Sequence, residues 1–555
     1  MNRYHWIVFI VCSLGWAFDC MDQHLFTYSR AKAIAELMSL DAASDRASNL
    51  AALATSIMII GWATGGIIFG IIGDKFGRAK TMIFTILIYS LLTGWSAFSV
   101  TIWDFMLIRF LAGVGIGGQF AVGASLLAET VPAQARPYVL GIMQVLSAVG
   151  NIGASLIAMI FTELDAIHLL PMSDWRCIFL FGSFPAILAY FVVRYIREPD
   201  SWQATVKEGR KNVGSVKELF SNPTLRKHVA LGMILATTGV IGAWGIALFS
   251  LELSRKVAAS IAIDSLEYQT IEREILLKHN LSQEELKNTV SDFRKQYTFK
   301  DEKGKEHSMD GTLQGKKLFD ADNAFGTLRK NLTLITKERE QLSQEEFDQK
   351  LAGAFRSVVP GLEQNERMNQ YEKLKPYIEV HIATSPMLKT TGDRWASRTL
   401  LIYNIGAVFG MYGFTLGAIF WGRRVTFTIF MTGCIIFTVA TFLYMNSLAT
   451  QLVLVPLMGF FVMSMFGGYT IYFPELFPTR LRSTGVSFCY NVGRYIAAAG
   501  PLMLAGLTIL FAGFTTPEDS TLPFRYAGSA MCSIFILGII VVWLLPETKG
   551  KPLPE

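Results

Sequence analysis

Apolar positions along this chain gather into blocks of roughly 20 residues divided by short polar stretches, the length of α-helix that crosses about 30 Å of hydrocarbon. Twelve blocks can be read, near 5–28, 50–72, 80–100, 104–128, 138–162, 177–196, 228–251, 398–420, 425–445, 451–473, 484–511 and 526–545. Buried helices of a soluble protein rarely run that far without a charge. The pattern therefore predicts an all-α membrane protein with twelve transmembrane helices.

One long stretch departs from the pattern. Residues 254–396 are highly charged, mix both signs and contain no spanning block. "SLEYQTIEREILLKHN", "SQEELKNTVSDFRKQY" and "SQEEFDQKLAGAFRSVV" have helical periodicity, with N-cap serines at Ser282 and Ser343. "TFKDEKGKEHSMDGTLQGKK" reads as a hairpin or a flexible loop. The expected division is an N-terminal six-helix half (1–200), a linker (201–227), helix 7 (228–253), a partly helical insert (254–396), and helices 8–12 completing the C-terminal half (397–555).

Composition agrees. Of 555 residues 52% are hydrophobic, 40 are Phe, and only 17% are charged, against about 25% in soluble chains. Cys12, Cys20, Cys177, Cys434, Cys489 and Cys532 lie in or beside apolar blocks and read as small buried hydrophobes. No CxxC or Cys/His spacing points to a metal, and no cofactor is expected. The insert has no cysteine, so no disulfide holds it. The first block is too long for a signal peptide and lacks a small-residue cleavage site, so it is expected to remain as a span.

The net charge of +6 matters less than its distribution. Lys and Arg concentrate in "GDKFGRAK" after the second block, in the linker after the sixth, in "WGRR" after the eighth, in "PTRLR" after the tenth and in "KGK" near the end. "SVTIWD" and "NSLATQ", on the other side, have none. By the positive-inside rule both termini are cytoplasmic and the insert is extracytoplasmic. The first external loop, with Arg30, Lys32 and Arg46, votes weakly the other way.

The chain repeats itself. Glu129, Pro132 and Arg136 in "AETVPAQARPYVLG" match Glu475, Pro478 and Arg482 in "PELFPTRLRSTGVS" with the same spacing, and Gly77-Arg78 matches Gly422-Arg423. Each match falls where a duplication of six spans puts it. Two pseudo-symmetric six-helix halves around a midplane cavity form a transporter architecture.

At these residues a family resemblance appears. "GDKFGRAKT", with its Asp and Gly-Arg pair between spans two and three, resembles the loop signature of the major facilitator superfamily, and "RFLAGVGIGG" resembles its fourth-span motif. "REPDSW", "PELFPTRLRSTG" and "LPETKGKPLPE" look like the sugar-porter and metabolite (aromatic acid):proton symporter branch. The motifs run through the whole membrane part in order, and the insert has no counterpart among them. The resemblance implies a cytoplasmic gate built from Gly73, Asp74, Gly77, Arg78, Glu129, Arg136, Glu475 and Arg482. In it Asp74 pairs with Arg78 or sits against the positive end of a neighbouring helix. Glu129 is expected to pair with Arg136, and Glu475 with Arg480 or Arg482. Ile419 stands where the second copy would carry Asp74, so the latch is expected to be asymmetric.

The glycines of "GVGIGG" lie in an apolar run with no preceding strand, which excludes a nucleotide loop. Gly113 and Gly117, with Gly61, Gly65, Gly66 and Gly70 in span two, have the spacing that lets helices approach closely.

Ionisable residues inside the apolar blocks are functional candidates. Asp19 and Asp22, three apart, share a helix face. Burial beside a like charge favours the protonated carboxyl, as proton coupling requires. Their "DCMD" resembles the DGxD signature of aromatic-acid:proton symporters, with Cys20 in place of its glycine. Asp22 either faces the cavity or begins the external loop. Arg109, the motif arginine of span four, pairs with Asp19, snorkels or binds backbone carbonyls. Arg494, deep in span eleven, has no acid in its own helix and suits an anionic substrate, which favours organic acids over neutral sugars. Asn491, Gln144, Tyr403, Asn404 and Tyr469 are further substrate-binding candidates, with Asn151, Trp244, Tyr472 and Tyr490 beside them.

The expectation is a secondary active transporter, proton-coupled, importing a small organic solute by alternating access, with an organic or aromatic acid favoured. The absence of proline from "LGIMQVLSAVGNIGASL" in span five favours symport over antiport. Partners are a small-molecule substrate, protons and the lipid bilayer. No nucleic acid is expected, and the chain reads as a monomer of the plasma membrane, or of the inner membrane in a bacterium. A proton-coupled sugar transporter is the alternative. A sensor or receptor on a transporter frame, reading its ligand through the insert, is a reading of another class. No nucleophile–base set supports an enzyme.

Overall fold

The computed structural model describes the chain except residues 39–44, 208–212, 297, 301–305, 309–315, 357–361, 498–499, 513–520 and 555. Among the described residues ten helical segments are long and apolar enough to cross a membrane. They follow the predicted order. Span 1 is Arg3–Leu37, span 2 Asp45–Phe76, span 4 Ile102–Thr130, span 5 Arg136–Ala166, and span 6 joins Asp174–Phe181 to Ala186–Tyr195. Span 7 starts as Pro223–Val240, span 8 ends the long helix Gln364–Phe420, span 9 is Arg423–Tyr444, span 10 Leu448–Leu476, and span 12 joins Leu522–Met531 to Ile534–Leu544. Span 3 (Arg78–Ser96), shorter and rich in hydroxyls, and span 11, split into Arg482–Ala497 and Gly500–Ala512, complete the twelve.

The helix of span 1 outlasts its apolar block, running on to Leu37. Its last turn is tied down at Glu36, which accepts from the indole of Trp175 at 2.7 Å and pairs with Arg176 at 3.0 Å. Burial works against the Glu36 charge, yet the donors Ser173, Trp175 and Arg176 hold its carboxyl below the ordinary range.

Spans 7 and 8 both cross the expected borders of the insert. Span 7 passes through a π-turn at Ile241–Ile246 and continues as Ser250–Ile263. Gln364–Phe420 is one helix of 57 residues with Pro376 and Pro386 inside it. The insert has its own apolar cluster, including Phe293, Phe325, Leu328, Phe347, Phe355 and Tyr371, separate from the main membrane core. Its helices Gln283–Gln296 and Gln344–Arg356 begin on the predicted serines: Ser282 Oγ accepts from Glu285 N–H (3.2 Å) and Ser343 Oγ from Glu346 N–H (3.3 Å). Thr298–Lys300 pairs antiparallel with Glu306–Ser308, giving the hairpin. The remainder of that polar stretch, 301–305 and 309–315, lies outside the described residues.

Small residues set how closely the helices approach. A Cβ on Gly65 would lie 1.9 Å from Val114 O of span 4, and one on Gly410 would lie 1.9 Å from Phe460 O of span 10, so the same close crossing recurs in each half. The next glycines on span 2 face the other half instead. Gly66 abuts Asn491 and Gly70 abuts Ser487, both on span 11, while Gly141 of span 5 abuts Thr415 of span 8. Spans 2 and 11 and spans 5 and 8 therefore form the seams between halves.

Candidate functional site

Between the seams lies a cavity lined by both halves. Span 1 lines it with Trp16, Cys20, Gln23 and His24, span 2 with Trp62, and span 5 with Gln144, Ser147 and Asn151. The C-terminal half adds Trp244 on the π-turn of span 7, Tyr403 and Asn404 on span 8, Phe466 on span 10, and Tyr490 and Arg494 on span 11. The π-turn carries Trp244 into the wall, and such turns recur at functional sites. The halves meet in this wall through polar contacts. Gln144 Oε1 accepts from Trp16 Nε1 (3.0 Å) and from Thr470 Oγ1 of span 10 (3.1 Å), and Asn151 Nδ2 donates to Asn404 Oδ1 (3.4 Å).

Arg494 is the one permanently charged side chain in the described lining. Its guanidinium lies 3.7 Å from the Trp62 ring centroid and 4.3 Å from that of Tyr490, and it donates to Asn491 Oδ1. Stacking between two aromatic faces fixes its plane and stabilises its charge. Asn491, held by Ser487 O (3.0 Å), orients Arg494 and does not line the cavity. Gln144, Tyr403 and Asn404 do line it. Tyr469 does not: its hydroxyl donates to Leu235 O (2.8 Å) and its ring stacks on Phe473. Tyr472 likewise points away, to Pro546 O (2.5 Å).

Asp19 and Asp22 are buried but absent from the cavity wall. Trp16, Cys20 and Gln23 occupy the cavity face of span 1, and the acids lie about a quarter-turn or more around it, against spans 3 and 4. The structure pairs Arg109 with Asp22 (Nη1–Oδ2 3.9 Å), replacing the expected Asp19–Arg109 pair. Asp22 lies about 4.5 Å further along the helix, level with the point where Arg109 enters two turns into span 4. Arg109 also donates to Leu92 O (3.1 Å) and lies over the Phe179 ring (4.8 Å). Asp22 is fully buried, so it does not begin a loop. Neither oxygen of Asp19 has a hydrogen-bond partner among the described residues.

At the end of the bundle that carries both chain termini, the halves are locked. Asp74 does both things expected of it. It pairs with Arg78 (3.0 Å), and it caps the start of span 11 in the other half, accepting from Ser483 N–H (3.2 Å), Thr484 N–H (2.8 Å) and Thr484 Oγ1–H (2.7 Å). Glu129 joins Arg78 (3.1 Å) of its own half to Arg482 (2.7 Å) of the other. Arg78 also donates to Thr479 O (2.6 Å) across the seam. The expected Glu129–Arg136, Glu475–Arg480 and Glu475–Arg482 pairs do not form. Arg136 starts span 5 and donates to Ala128 O, capping the last turn of span 4 (2.8 Å). Glu475 takes Arg423 (2.6 Å), the repeat counterpart of Arg78, and Arg480 takes Glu218 of the linker (2.6 Å). Gly73 contributes its carbonyl, which accepts from Arg78 Nη1 (3.3 Å).

Residues 7–263 match the family model described as Major Facilitator Superfamily. That segment therefore belongs to the major facilitator superfamily. The chain is a multi-pass membrane transporter and not an enzyme. A metabolite transport protein, so named, of Haemophilus influenzae is 22% identical over 554 residues, covering 100% of this chain and 99% of that one. The niacin transporter NiaP of Acinetobacter baylyi is 28% identical over 234 residues, 42% of this chain and 48% of that one. The cis,cis-muconate transport protein of the same organism is 30% identical over 211 residues, 38% and 48%. This chain thus spans about half the length of the latter two relatives. The solved proton:xylose symporter XylE bound to 6-bromo-6-deoxy-D-glucose shares the fold with a TM-score of 0.58 at 14% identity, over 99% of this chain and 98% of that one.

Within this superfamily frame, two acids escaped the sequence reading. Glu198 of "REPDSW" accepts from the backbone N–H of Arg78 (2.7 Å) and Lys80 (3.1 Å), capping span 3. Glu547 of "LPETKG" does the same for span 9 at Arg423 and Arg424 (both 3.1 Å). Burial opposes the Glu547 charge, but four backbone donors hold its carboxyl below the ordinary range. The signal lay in the repeat: each acid follows the last helix of its half. His24 and Gln23 also escaped, because nothing local marks which face of span 1 turns to the cavity.

Proposed function

We propose that this transporter imports a small organic acid, of flat and aromatic or unsaturated shape, together with protons, and works as a monomer by alternating access. Arg494 carries the reading: a buried cation, stacked between Trp62 and Tyr490, in a cavity walled by Trp16, Trp244 and Phe466. A planar guanidinium suits a carboxylate, and aromatic walls suit a flat body. The names of the niacin and muconate relatives favour the same class. The Lys/Arg-rich loops favour a plasma-membrane orientation with both termini in the cytoplasm, so the locked end is the cytoplasmic gate and the insert is external.

In this reading the proton sits on Asp19 or Asp22. Arg109 compensates the ionised Asp22, and protonation frees it. Substrate on Arg494 and a proton on the acids together leave the two halves free of net buried charge, and the latch at Asp74 and Glu129 then opens. Uptake of labelled benzoate and of a labelled hexose into vesicles, with and without an imposed pH gradient, tests it. Benzoate should accumulate under the gradient and the hexose should not. Hexose accumulation alone would replace this reading with the sugar alternative.

A further inference from the structure

Behind the cavity wall, inside the N-terminal half, span 3 turns three hydroxyls toward the acids of span 1. Tyr89, Ser90 and Thr93 are fully buried, and none of them completes a side-chain hydrogen bond among the described residues. Thr93 stands beside Asp22, and Tyr89 stands beside Ser90, within electrostatic reach of Asp19 and Asp22. Gly182 of span 6 closes this space, its missing Cβ lying 2.6 Å from Thr93 and 3.4 Å from Asp22. Gly115 of span 4 leaves room for Tyr89. The charged and titratable groups that face the pair are Cys20 on span 1, Tyr89 on span 3, Arg109 on span 4 and Arg494 on span 11. Spans 5 and 6 approach with Gly150 and Gly182, which do not titrate.

The duplication supplies an internal control. Counting from the paired motifs, the C-terminal counterparts of Tyr89, Ser90 and Arg109 are Cys434, Ile435 and Val455. Thr93 has Thr438 as its counterpart, also buried and without a hydrogen-bond partner among the described residues, whereas the tyrosine, the serine and the arginine occur in one half only. Packing of the repeat therefore does not require Tyr89, Ser90 or Arg109. Buried polar atoms that find no protein partner mark either water or function, and here they converge on two carboxylates.

We propose that span 3 supplies a hydroxyl wall, Tyr89 with Ser90 and Thr93, that holds the transported proton on the Asp19–Asp22 pair in a compartment separate from the substrate cavity. The inference rests on the proton-coupled reading. A proton arriving from water forms an O–H bond on one carboxylate. The hydroxyls donate to whichever carboxylate stays ionised, and the proton leaves to water on the opposite side after the halves rock. Tyr89 acts on the acids and touches no substrate, so it is a positioning residue.

Tyr89→Phe removes one oxygen and keeps the ring. In purified full-length protein, two readouts should move: the pH at which gradient-driven benzoate uptake is half-maximal, and the pH at which the buried carboxyl band titrates by infrared difference spectroscopy. Each should shift by at least about threefold in proton concentration, with benzoate affinity unchanged. Thr93→Val should shift the same readouts, and Cys434→Ala, at the counterpart position, should shift neither. Unmoved infrared titration in both Tyr89→Phe and Thr93→Val overturns the wall. If wild-type uptake ignores the pH gradient while the carboxyl titration still moves in Tyr89→Phe, the wall stands and the coupling reading fails.

Discussion

Arg482, at the start of span 11, holds its Nη1 2.7 Å from Glu129 Oε1 at the end of span 4, and both side chains are 1% exposed. One buried carboxylate thereby joins the two halves, since Glu129 also holds Arg78 at 3.1 Å. Removing one member of such a cluster leaves charge bare, at about 3–5 kcal/mol. Glu129→Gln should therefore weaken the closed state. Spin-label distances across the terminal end should lengthen and the thermal midpoint should fall. Unchanged distances would show that Asp74 and the Arg78–Thr479 contact close this end without Glu129.

Gly77 and Gly422 sit at φ +109° and +90°, where side chains are strained, and a Cβ would lie 2.3 Å from Glu198 and 2.9 Å from Glu547 respectively. Gly77→Ala should cost about 1–3 kcal/mol, read as a lowered thermal midpoint in detergent. Gly326→Ala, in a helix with nothing within 4 Å of the added carbon, should be neutral or mildly stabilising.

Arg494→Lys keeps the charge and loses the plane that stacks on Trp62 and Tyr490. Carboxylate affinity should drop by about 10- to 100-fold, the loss of one strong bidentate contact. Equilibrium binding of labelled benzoate to the purified protein measures it. Equal affinity in the variant would remove Arg494 from the substrate site.

Asp19→Asn should abolish gradient-driven accumulation while substrate exchange persists, because exchange needs no net proton movement. Counterflow against downhill uptake in the same vesicles separates the two. Full accumulation in the variant would move the coupling role to Asp22.

In the insert, Glu379 accepts from His279 at 2.9 Å and pairs with Lys278 at 3.2 Å. Partial burial opposes its charge, but these partners hold its carboxyl below the ordinary range. A carboxyl lowered in the folded state contributes stability above its unfolded value, about 4.3, and loses that contribution as pH falls through the folded value. Limited proteolysis of the insert should therefore speed up in acid below about pH 4, and Glu379→Gln should flatten that acid dependence.

The twelve-span order, the two halves and the helix starts at Ser282 and Ser343 were legible because they are local. Span length follows from bilayer thickness, caps from a hydroxyl three residues before a carboxylate, and the halves from motifs at matched spacing. The same reading paired Asp74 with Arg78, as the structure does, but mispaired Glu129 and Glu475, because these choose among several arginines that only the fold brings within reach. Helix borders at the insert were missed because spans 7 and 8 continue without a break when hydrocarbon gives way to the insert's own core.

By itself the sequence determined a transporter frame, a cationic residue in the membrane at Arg494, and a carboxylate pair three residues apart on span 1. Only the tertiary structure decided which side of span 1 those carboxylates take. Periodicity places Asp19 and Asp22 on one face but does not orient that face, since the rotation of a helix in a bundle is set by its neighbours. Here the close approach of spans 3 and 4 turns the acids away from the cavity and toward Arg109 and Tyr89, and leaves Arg494 as the charged side chain of the described cavity lining.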